Sequence, residues 1–349
     1  MKAFLKKIYR TLIEFVLKKY LTMQSKPSIV KHALAKEYVD LDLIKEIPLI
    51  TKSSSKIKAA SIQMELKPIT KNHAANYVKT IFRLTKKAVT QGAHLVVFPE
   101  YSGIPLLGLM PNIEYFINKG IFKAPDIFYL SSSAIKEIYE TTFSILSKYF
   151  RIYMVAGGTP LKDDDGKMRN ISYLFDPHGN IVAKQRKLHL TGLETKLGFE
   201  QGEKLKIQDT MLGRIAFPTF LDISHFEIFR IAMLNKTDIV AIPSANIETF
   251  MPSQNIDTVW QRVQENQTFA ILSCAVGNFM GTSFTGRSAL ISPFELTQSG
   301  DGYLAKANTL TEEEIIVGEF NLDALHDFRE KNPPNFNLGL YRKYFSKTL

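Results

Sequence analysis

Three positions in the chain place a charged side chain at the end of an apolar run. Glu100 follows a Val-Val-Phe-Pro run, and Lys187 and Asp222 each end a further predicted strand. In α/β sheets the carboxyl ends of strands converge on the ligand crevice. A buried carboxylate beside a buried ammonium could serve as a general base, with the lysine stabilising a developing oxyanion. The alternative is an ordinary ion pair, or two separate solvated side chains, since strand ends often carry charge.

Alternating strand and helix patterns surround these positions. A predicted strand over 57–64, a helix over 72–90 and a strand over 94–98 follow one another, which indicates a layered α/β domain. The alternation includes a predicted strand over 214–221 and continues to a strand over 315–320. The fold class predicted from the pattern is therefore α/β.

Three segments around the charged positions resemble the signature segments of the nitrilase superfamily of carbon-nitrogen hydrolases. They are Val-Val-Phe-Pro-Glu100, Arg186-Lys187-Leu-His189-Leu, and the run from Gly213 to Asp222. Supporting matches follow at Pro243-Ser-Ala, Trp260-Gln-Arg and Glu265-Asn, so the resemblance covers residues 56 to 320. The order and spacing of the whole set carry the resemblance, because each string alone is weak.

The resemblance implies a four-layer αββα sandwich, a homodimer across the helical face, and a Cys-Glu-Lys catalytic set that forms a thioester with amides or nitriles. By position, Glu100 falls on the general base and Lys187 on the lysine that polarises the tetrahedral intermediate. Glu194 falls on the additional glutamate of the family, with Glu200 as the alternative. The expected partner is a small amide or nitrile ligand, and no cofactor or metal ion is expected.

Phe220 occupies the position of the family's nucleophilic cysteine, because the run from Gly213 to Asp222 aligns without a gap. A phenyl ring has no lone pair to attack a carbonyl or nitrile carbon, so no covalent acyl-enzyme can form there. We also expect the ring to fill space that substrate normally enters. An engineered phenylalanine at this position is a further alternative.

Three neighbouring side chains are poor substitutes for the missing nucleophile. Thr219 is predicted to face away, because successive strand residues point to opposite faces. Cys274 lies on a different predicted strand, where an inert core cysteine is the common outcome. Ser224 fits a Ser-x-x-Glu capping box with Glu227 at a helix start.

Three functional hypotheses follow. The first is a protein of the nitrilase fold that has lost thioester catalysis and keeps Glu100 and Lys187 as a binding or structural pair. The second is an active hydrolase in which Glu100 activates water and Lys187 acts as the electrophile. The third is a membrane-peripheral interaction module that uses an N-terminal helix and the apolar region 103–128.

The composition fits a globular protein with a full core. The 349 residues are 45% hydrophobic and 22% charged, and the single cysteine cannot form an internal disulfide, so a cytoplasmic chain is the default expectation. Residues 1–56 hold 12 Lys or Arg and 5 Asp or Glu, a charge of +7, which leaves only +3 of the total +10 for the other 293 residues. No nucleic-acid partner is expected, because the body is nearly neutral and has no recognition motif.

The N-terminal segment 2–20 places apolar residues at helical spacing with lysines between them, which predicts a basic amphipathic helix. The helix could dock on an anionic membrane surface at the cytoplasmic face, or pack on the body or a partner subunit. The predicted organisation is therefore a basic helical extension with a linker (1–55), a carbon-nitrogen hydrolase-like domain (56–325) and a C-terminal tail (326–349).

Overall fold

The computed structural model describes residues 2–37, 55–69, 73–247, 251, 256–334 and 337–344. The α-helices are α1 Lys2–Gln24, α2 Pro27–Ala35, α3 Ala74–Val89, α4 Ile113–Asn118, α5 Ala124–Phe150, α6 Gly192–Lys196, α7 Phe220–Ile223, α8 Phe226–Leu234, α9 Ile256–Asn266, α10 Leu322–Lys331 and α11 Leu338–Tyr344. The strands are β1 Lys56–Glu65, β2 Leu95–Val97, β3 Tyr153–Lys162, β4 Met168–Phe175, β5 Ile181–Arg186, β6 Ile207–Thr210, β7 Gly213–Ala216, β8 Ile239–Ser244, β9 Phe269–Phe279, β10 Thr282–Phe284, β11 Ala289–Ile291, β12 Tyr303–Lys306 and β13 Glu314–Asn321.

The strands of the described residues form one connected sheet that folds back on itself. Its main path runs β5-β4-β3-β2-β1-β9-β8-β7-β6, while β13 pairs with β1 and β11 pairs with β9 and β12. The strands β1, β2 and β3 are parallel neighbours, as are β7, β8 and β9. Their carboxyl ends therefore face the same edge within each half, which is where charged residues after strands can meet.

Three apolar clusters separate the layers of the molecule. Side chains of β1 alternate, so that Ile57 and Ala59 enter the cluster between the two sheet halves while Ile62 and Met64 face helices α3 and α5. A third cluster lies between β7, β8 and β9 on one side and helices α8 and α9 on the other. The order is helices, sheet, sheet, helices, which confirms the predicted four-layer αββα architecture.

Helices α1 and α2 share the core of the first helical layer. Leu17, Leu21, Val30 and Leu34 are buried in the same cluster as the side chains of α3 and α5. The Arg10 guanidinium also lies 2.9 Å from the Asp126 carboxylate at the start of α5. The amphipathic helix predicted over 2–20 is present, and its buried side packs on the body. The part of the predicted linker at 51–54 lies outside the described residues.

Three further features of the described residues bear on the sequence-based predictions. The region 103–128 contains the 3-10 helix Ile104–Leu109, helix α4 and the start of α5. Residue 325, the predicted end of the body, lies inside α10, whose Leu325 is fully buried. No helix in the described ranges is both long enough and apolar enough to cross a membrane.

The strand predicted over 214–221 is wrong beyond Ala216, where β7 ends. Pro218 has no N–H to donate to a strand ladder, and Thr219 instead caps helix α7, of which Phe220 is the first residue. The capping box predicted at Ser224 is also wrong. Ser224 ends α7, and His225 is the N-cap of α8, with no side-chain capping bond. The actual capping box joins Thr219 and Asp222.

Candidate active site

Glu100 lies just past the carboxyl end of β2 and is 3% exposed. The chain can turn there because β3 carries glycine opposite the turn. A Cβ atom on Gly157 would lie 1.7 Å from the Pro99 carbonyl oxygen, so no other residue fits without displacing the backbone. The position of Glu100 therefore depends on a close backbone approach that the β2 sequence alone does not reveal.

Tyr101, the next residue, has a φ of +63°. This left-handed conformation is uncommon for a residue other than glycine and costs on the order of 1 kcal/mol. The turn directs the Tyr101 hydroxyl to the Glu194 carboxylate, to which it donates at 2.8 Å. Tyr101 was not identified from the sequence, although its position directly after Glu100 was a usable signal.

Lys187 follows β5 and reaches two carboxylates with one buried ammonium group. Its Nζ lies 2.9 Å from Glu100 Oε1 and 2.8 Å from Glu194 Oε2, and the lysine is only 2% exposed. The predicted contact between Glu100 and Lys187 is thus present. Their catalytic role remains a prediction.

Glu194 is fixed by the short helix α6. Its backbone N–H donates to the Thr191 hydroxyl, and its carboxylate accepts from the Thr191 backbone N–H at 2.8 Å, which forms a capping box. Glu200, the alternative from the sequence, lies half exposed and faces Lys167 at 3.7 Å. Of the two glutamates, the structure brings Glu194 to the lysine.

Asn170 joins the two carboxylates from the neighbouring strand. Its side-chain Nδ2 donates to Glu100 Oε1 at 2.7 Å and to Glu194 Oε1 at 3.0 Å. Its backbone carbonyl accepts from the Lys187 N–H at 2.9 Å, one step past the β4–β5 ladder. Asn170 was missed from the sequence, because Arg169 and Ser172 make it one of several polar residues on the same strand.

Burial and the shared lysine shift the pKa values of this cluster in different directions. Burial raises the pKa of Glu100 to about 7, partly offset by the adjacent Lys187. Burial alone would also raise the pKa of Glu194, but Lys187 and the hydrogen bonds from Thr191 and Asn170 lower it overall. Burial would lower the pKa of Lys187, yet the two carboxylates raise it. At neutral pH Lys187 therefore stays protonated and Glu194 stays ionised, whereas Glu100 can gain or lose a proton.

Phe220 begins α7 and is half buried, with its ring packed against the cluster that lies between the sheet and helices α8 and α9. Asp222 of the same helix accepts hydrogen bonds from the backbone N–H groups of Leu188 and His189 at 3.0 and 2.7 Å. These bonds hold the start of α7 against the segment that follows Lys187.

The side chains proposed as poor substitute nucleophiles are engaged elsewhere. The Thr219 hydroxyl donates to Asp222 at 2.9 Å, because Thr219 is a helix cap and not a strand residue. The Ser224 hydroxyl faces the Phe220 carbonyl oxygen at 3.4 Å. Cys274 is a buried core residue on β9, where burial raises the pKa of its thiol to about 12. A thiol with that pKa is almost entirely protonated at neutral pH, and the thiol is a poor nucleophile.

A pocket of about 210 Å³ opens beside Lys187 and Glu194. Its walls are mainly aromatic and aliphatic, and its described lining contains no cysteine or serine. Phe220 is also absent from that described lining, and the effect of its ring on substrate space stays a prediction. The lining residues are Tyr101, Ile104, Leu107, Phe128, Pro160, Lys187, Thr191, Leu193, Glu194, Leu197, Phe199, Ala245, Ile247, Phe279, Thr282 and Phe284.

A separate group of side chains has the residue types of a metal site. Ligand atoms of His189, His225 and Glu227 lie within 4.8 Å of one another, and the two imidazole rings stack at 4.0 Å. His189 Nδ1 also lies 3.2 Å from the Asp222 carboxylate, and this hydrogen bond raises the pKa of the imidazole.

The Glu100 and Glu194 carboxylates are unsuited to a metal ion, because the Lys187 ammonium already lies between them and would repel a cation.

Comparisons with known proteins agree with this geometry. The chain is 26% identical over 308 residues to the probable hydrolase YhcX of Bacillus subtilis, a match that covers 86% of this chain but only 57% of that protein. It is 26% identical over 285 residues to the human omega-amidase NIT2, covering 79% of this chain and 92% of that protein.

Solved structures show the same fold. Saccharomyces cerevisiae Nit3, a member of the nitrilase superfamily, superposes with a TM-score of 0.64 at 21% identity, covering 82% of this chain and 99% of that chain. A double mutant of the amidase from Nesterenkonia sp. AN1, in complex with acrylamide, gives a TM-score of 0.62 at 19% identity over 83% of this chain and 98% of that chain. The carbon-nitrogen hydrolase family model matches residues 58–330, most of the chain, and this protein therefore belongs to that family.

Proposed function

We propose that this protein binds a small ligand of the amide or nitrile class beside Lys187 and does not form a thioester with it. The observation that carries the proposal is the buried Glu100–Lys187–Glu194 cluster at one end of the apolar pocket. An ammonium N–H can donate to an amide carbonyl, and a carboxylate can accept from the amide N–H. With phenylalanine at the nucleophile position, the cluster retains recognition groups without the group that forms the covalent bond.

The test measures binding and turnover on the full-length protein. Butyramide should bind to the wild-type protein in ligand-observed NMR, and binding should be lost in Lys187→Met. Amide turnover that disappears when Cys274 is alkylated would contradict the proposal. Phe220→Cys is the complementary variant, and trapping of an acyl group on its new thiol, detected by mass spectrometry, would support the position assigned to the nucleophile.

A slow hydrolysis that uses Glu100-activated water is the second candidate reaction. The observation that favours it is the pKa of Glu100, which burial raises to about 7, so that the group can accept a proton near neutral pH. The rate should rise as pH increases through 7, because the base must be ionised. It should persist in Cys274→Ala and vanish in Glu100→Gln. A rate that is equal in wild type and Glu100→Gln would exclude this reaction.

A homodimer across the helical face is proposed from the family resemblance. The proposed dimer interface is the outer surface of helices α8 and α9, which cover the third apolar cluster. Light scattering on the purified chain should give a mass of about twice the 39.6 kDa of one chain. A monomeric mass at micromolar concentration would contradict this proposal.

The outward face of α1 supports a further proposed function, attachment to an anionic membrane surface. Exposed apolar side chains line this face, each 50–66% exposed: Ile8, Leu12, Phe15, Val16 and Met23. Lys18, Lys19, Lys26 and Lys31 are exposed on and next to the helix, whereas Glu14 is the sole acidic residue among residues 2–36. Apolar insertion together with about 1 kcal/mol from each lysine near anionic lipid would favour such a surface.

Vesicle flotation of the full chain tests this attachment. Binding should require phosphatidylserine, weaken with salt, and fall strongly in Leu12→Ser combined with Phe15→Ser. Ile181→Ser is the control, because Ile181 is an exposed apolar residue far along the chain on β5. Equal flotation of the double variant and the control would refute the membrane role of α1.

A further inference from the structure

The pocket beside Lys187 has one polar end and otherwise apolar walls. Ile104, Leu107, Phe128 and Phe199 come from three different segments and line it, and Phe279 closes another side. A volume of about 210 Å³ corresponds to roughly seven water molecules at liquid density, which is enough for a small organic molecule of similar heavy-atom count. Apolar walls of this kind gain most from an apolar ligand group that leaves water.

The charge of the pocket disfavours an anionic ligand. Lys187 is the sole Lys or Arg among the described lining residues, and its ammonium is already shared by the Glu100 and Glu194 carboxylates. A ligand carboxylate placed against the apolar walls would therefore lose its hydration without gaining a counter-ion.

The polar end suits the carbonyl group of a neutral amide. An ammonium group has three N–H donors, so Lys187 can donate a hydrogen bond to a carbonyl oxygen in addition to its contacts with two carboxylates. Glu194 also lines the pocket, but its carboxylate already accepts hydrogen bonds from Tyr101, Thr191, Asn170 and Lys187, so the amide would be held through its carbonyl oxygen. The apolar remainder of the ligand would then extend toward Leu193 and Ile247, which are exposed at the opening.

We propose that this pocket selects an uncharged amide that carries a short apolar chain or ring, and that it excludes amides with a second, anionic end. This inference rests on the proposed amide-binding function and narrows its ligand class. The selection depends on the absence of a cation along the apolar walls, not on the size of the pocket.

A matched pair of ligands tests the selection on the full-length protein by calorimetry. Hexanamide and 6-amino-6-oxohexanoate share the amide and the six-carbon chain but differ in a terminal carboxylate. We expect hexanamide to bind at least about tenfold more tightly. Equal or tighter binding of the carboxylate would overturn the inference and leave the amide function intact. Binding of neither ligand to the folded protein would overturn both.

A positive charge added at the pocket opening tests whether the missing cation causes the ligand selection. Leu193 is exposed on α6, so Leu193→Arg should fold normally and should improve binding of 6-amino-6-oxohexanoate about tenfold by supplying a counter-ion. Ile181→Arg, exposed on β5, adds the same charge away from the pocket and should leave both affinities unchanged. If the Leu193 variant keeps the wild-type preference, a missing cation is not the reason for the selection and the inference fails.

Discussion

The Lys187 ammonium lies 2.9 Å from the Glu100 carboxylate, although 87 residues separate the two in the chain. Both side chains are almost completely buried, and Glu194 provides the second contact of the same ammonium. Buried ions are tolerated only with close partners, so each member of this cluster depends on the others.

Removal of the ammonium should be costly. Lys187→Met leaves two buried carboxylates without their cation and should lower the free energy of unfolding by about 3–5 kcal/mol at neutral pH. Lys167→Met is the matched control, because the exposed Lys167–Glu200 pair at 3.7 Å should contribute less than about 1 kcal/mol. Urea denaturation of both variants measures the difference, and similar losses in the two would contradict this account of the cluster.

The pH dependence of stability should reveal the raised pKa of Glu100. A carboxyl group whose folded pKa is raised stabilises the protein fully below its unfolded pKa near 4.5, and that contribution disappears as pH rises through about 7. As pH rises across this window, the unfolding free energy of the wild type should therefore fall by roughly 3 kcal/mol relative to that of Glu100→Gln.

Glu194→Gln should show the opposite trend. Because the folded pKa of Glu194 is lowered, its contribution is present above its ordinary pKa and is lost as pH falls through the folded value. Denaturation curves at pH 4, 5.5 and 8 compare the two variants with wild type. Parallel pH profiles for all three proteins would show that neither carboxyl has a shifted pKa.

The amide of Asn170 should be important because it donates to both glutamates. Asn170→Asp replaces that donor with a third carboxylate and should destabilise the protein by several kcal/mol at pH 8, since like charges would share the buried site. The loss should be smaller at pH 4.5, where a carboxyl can be protonated. Asn308→Asp on the exposed surface is a control with the same change of charge. A pH-independent loss in Asn170→Asp would contradict this interpretation.

The imidazole of His189 should respond to its carboxylate partner. The His189 imidazole donates a hydrogen bond to the Asp222 carboxylate, which raises the pKa of His189, so Asp222→Asn should lower that pKa, as measured by NMR titration of the ring protons. The imidazole of His178, on the turn between β4 and β5, provides an internal reference. An unchanged titration of His189 would show that Asp222 does not govern its charge.

The contact between Glu100 and Lys187 was predictable, because it follows from a general rule about where strands end. The carboxyl ends of β2 and β5 had to reach one edge of the sheet, which placed Glu100 near Lys187 once the strands were assigned. The choice of Glu194 over Glu200 came from family position, and the α6 capping box gives its physical reason.

Other features depended on tertiary contacts that no local pattern carries. The amide of Asn170 resembles any polar residue in a strand until its two partners are known, and the left-handed Tyr101 is fixed by the turn around it. Pro218 indicates the early end of β7, whereas the apolar run through Phe220 and Leu221 favours a continuous strand.

The burial of the α1–α2 pair against α5 has a consequence for synthesis on the ribosome. Leu17, Leu21, Val30 and Leu34 are synthesised before helix α5, against which this layer packs and which ends at Phe150. At roughly 5–20 residues per second, the apolar side chains of the first two helices remain without helix α5 for about 6–25 seconds. During that interval these apolar side chains lack part of the core that buries them in the folded protein.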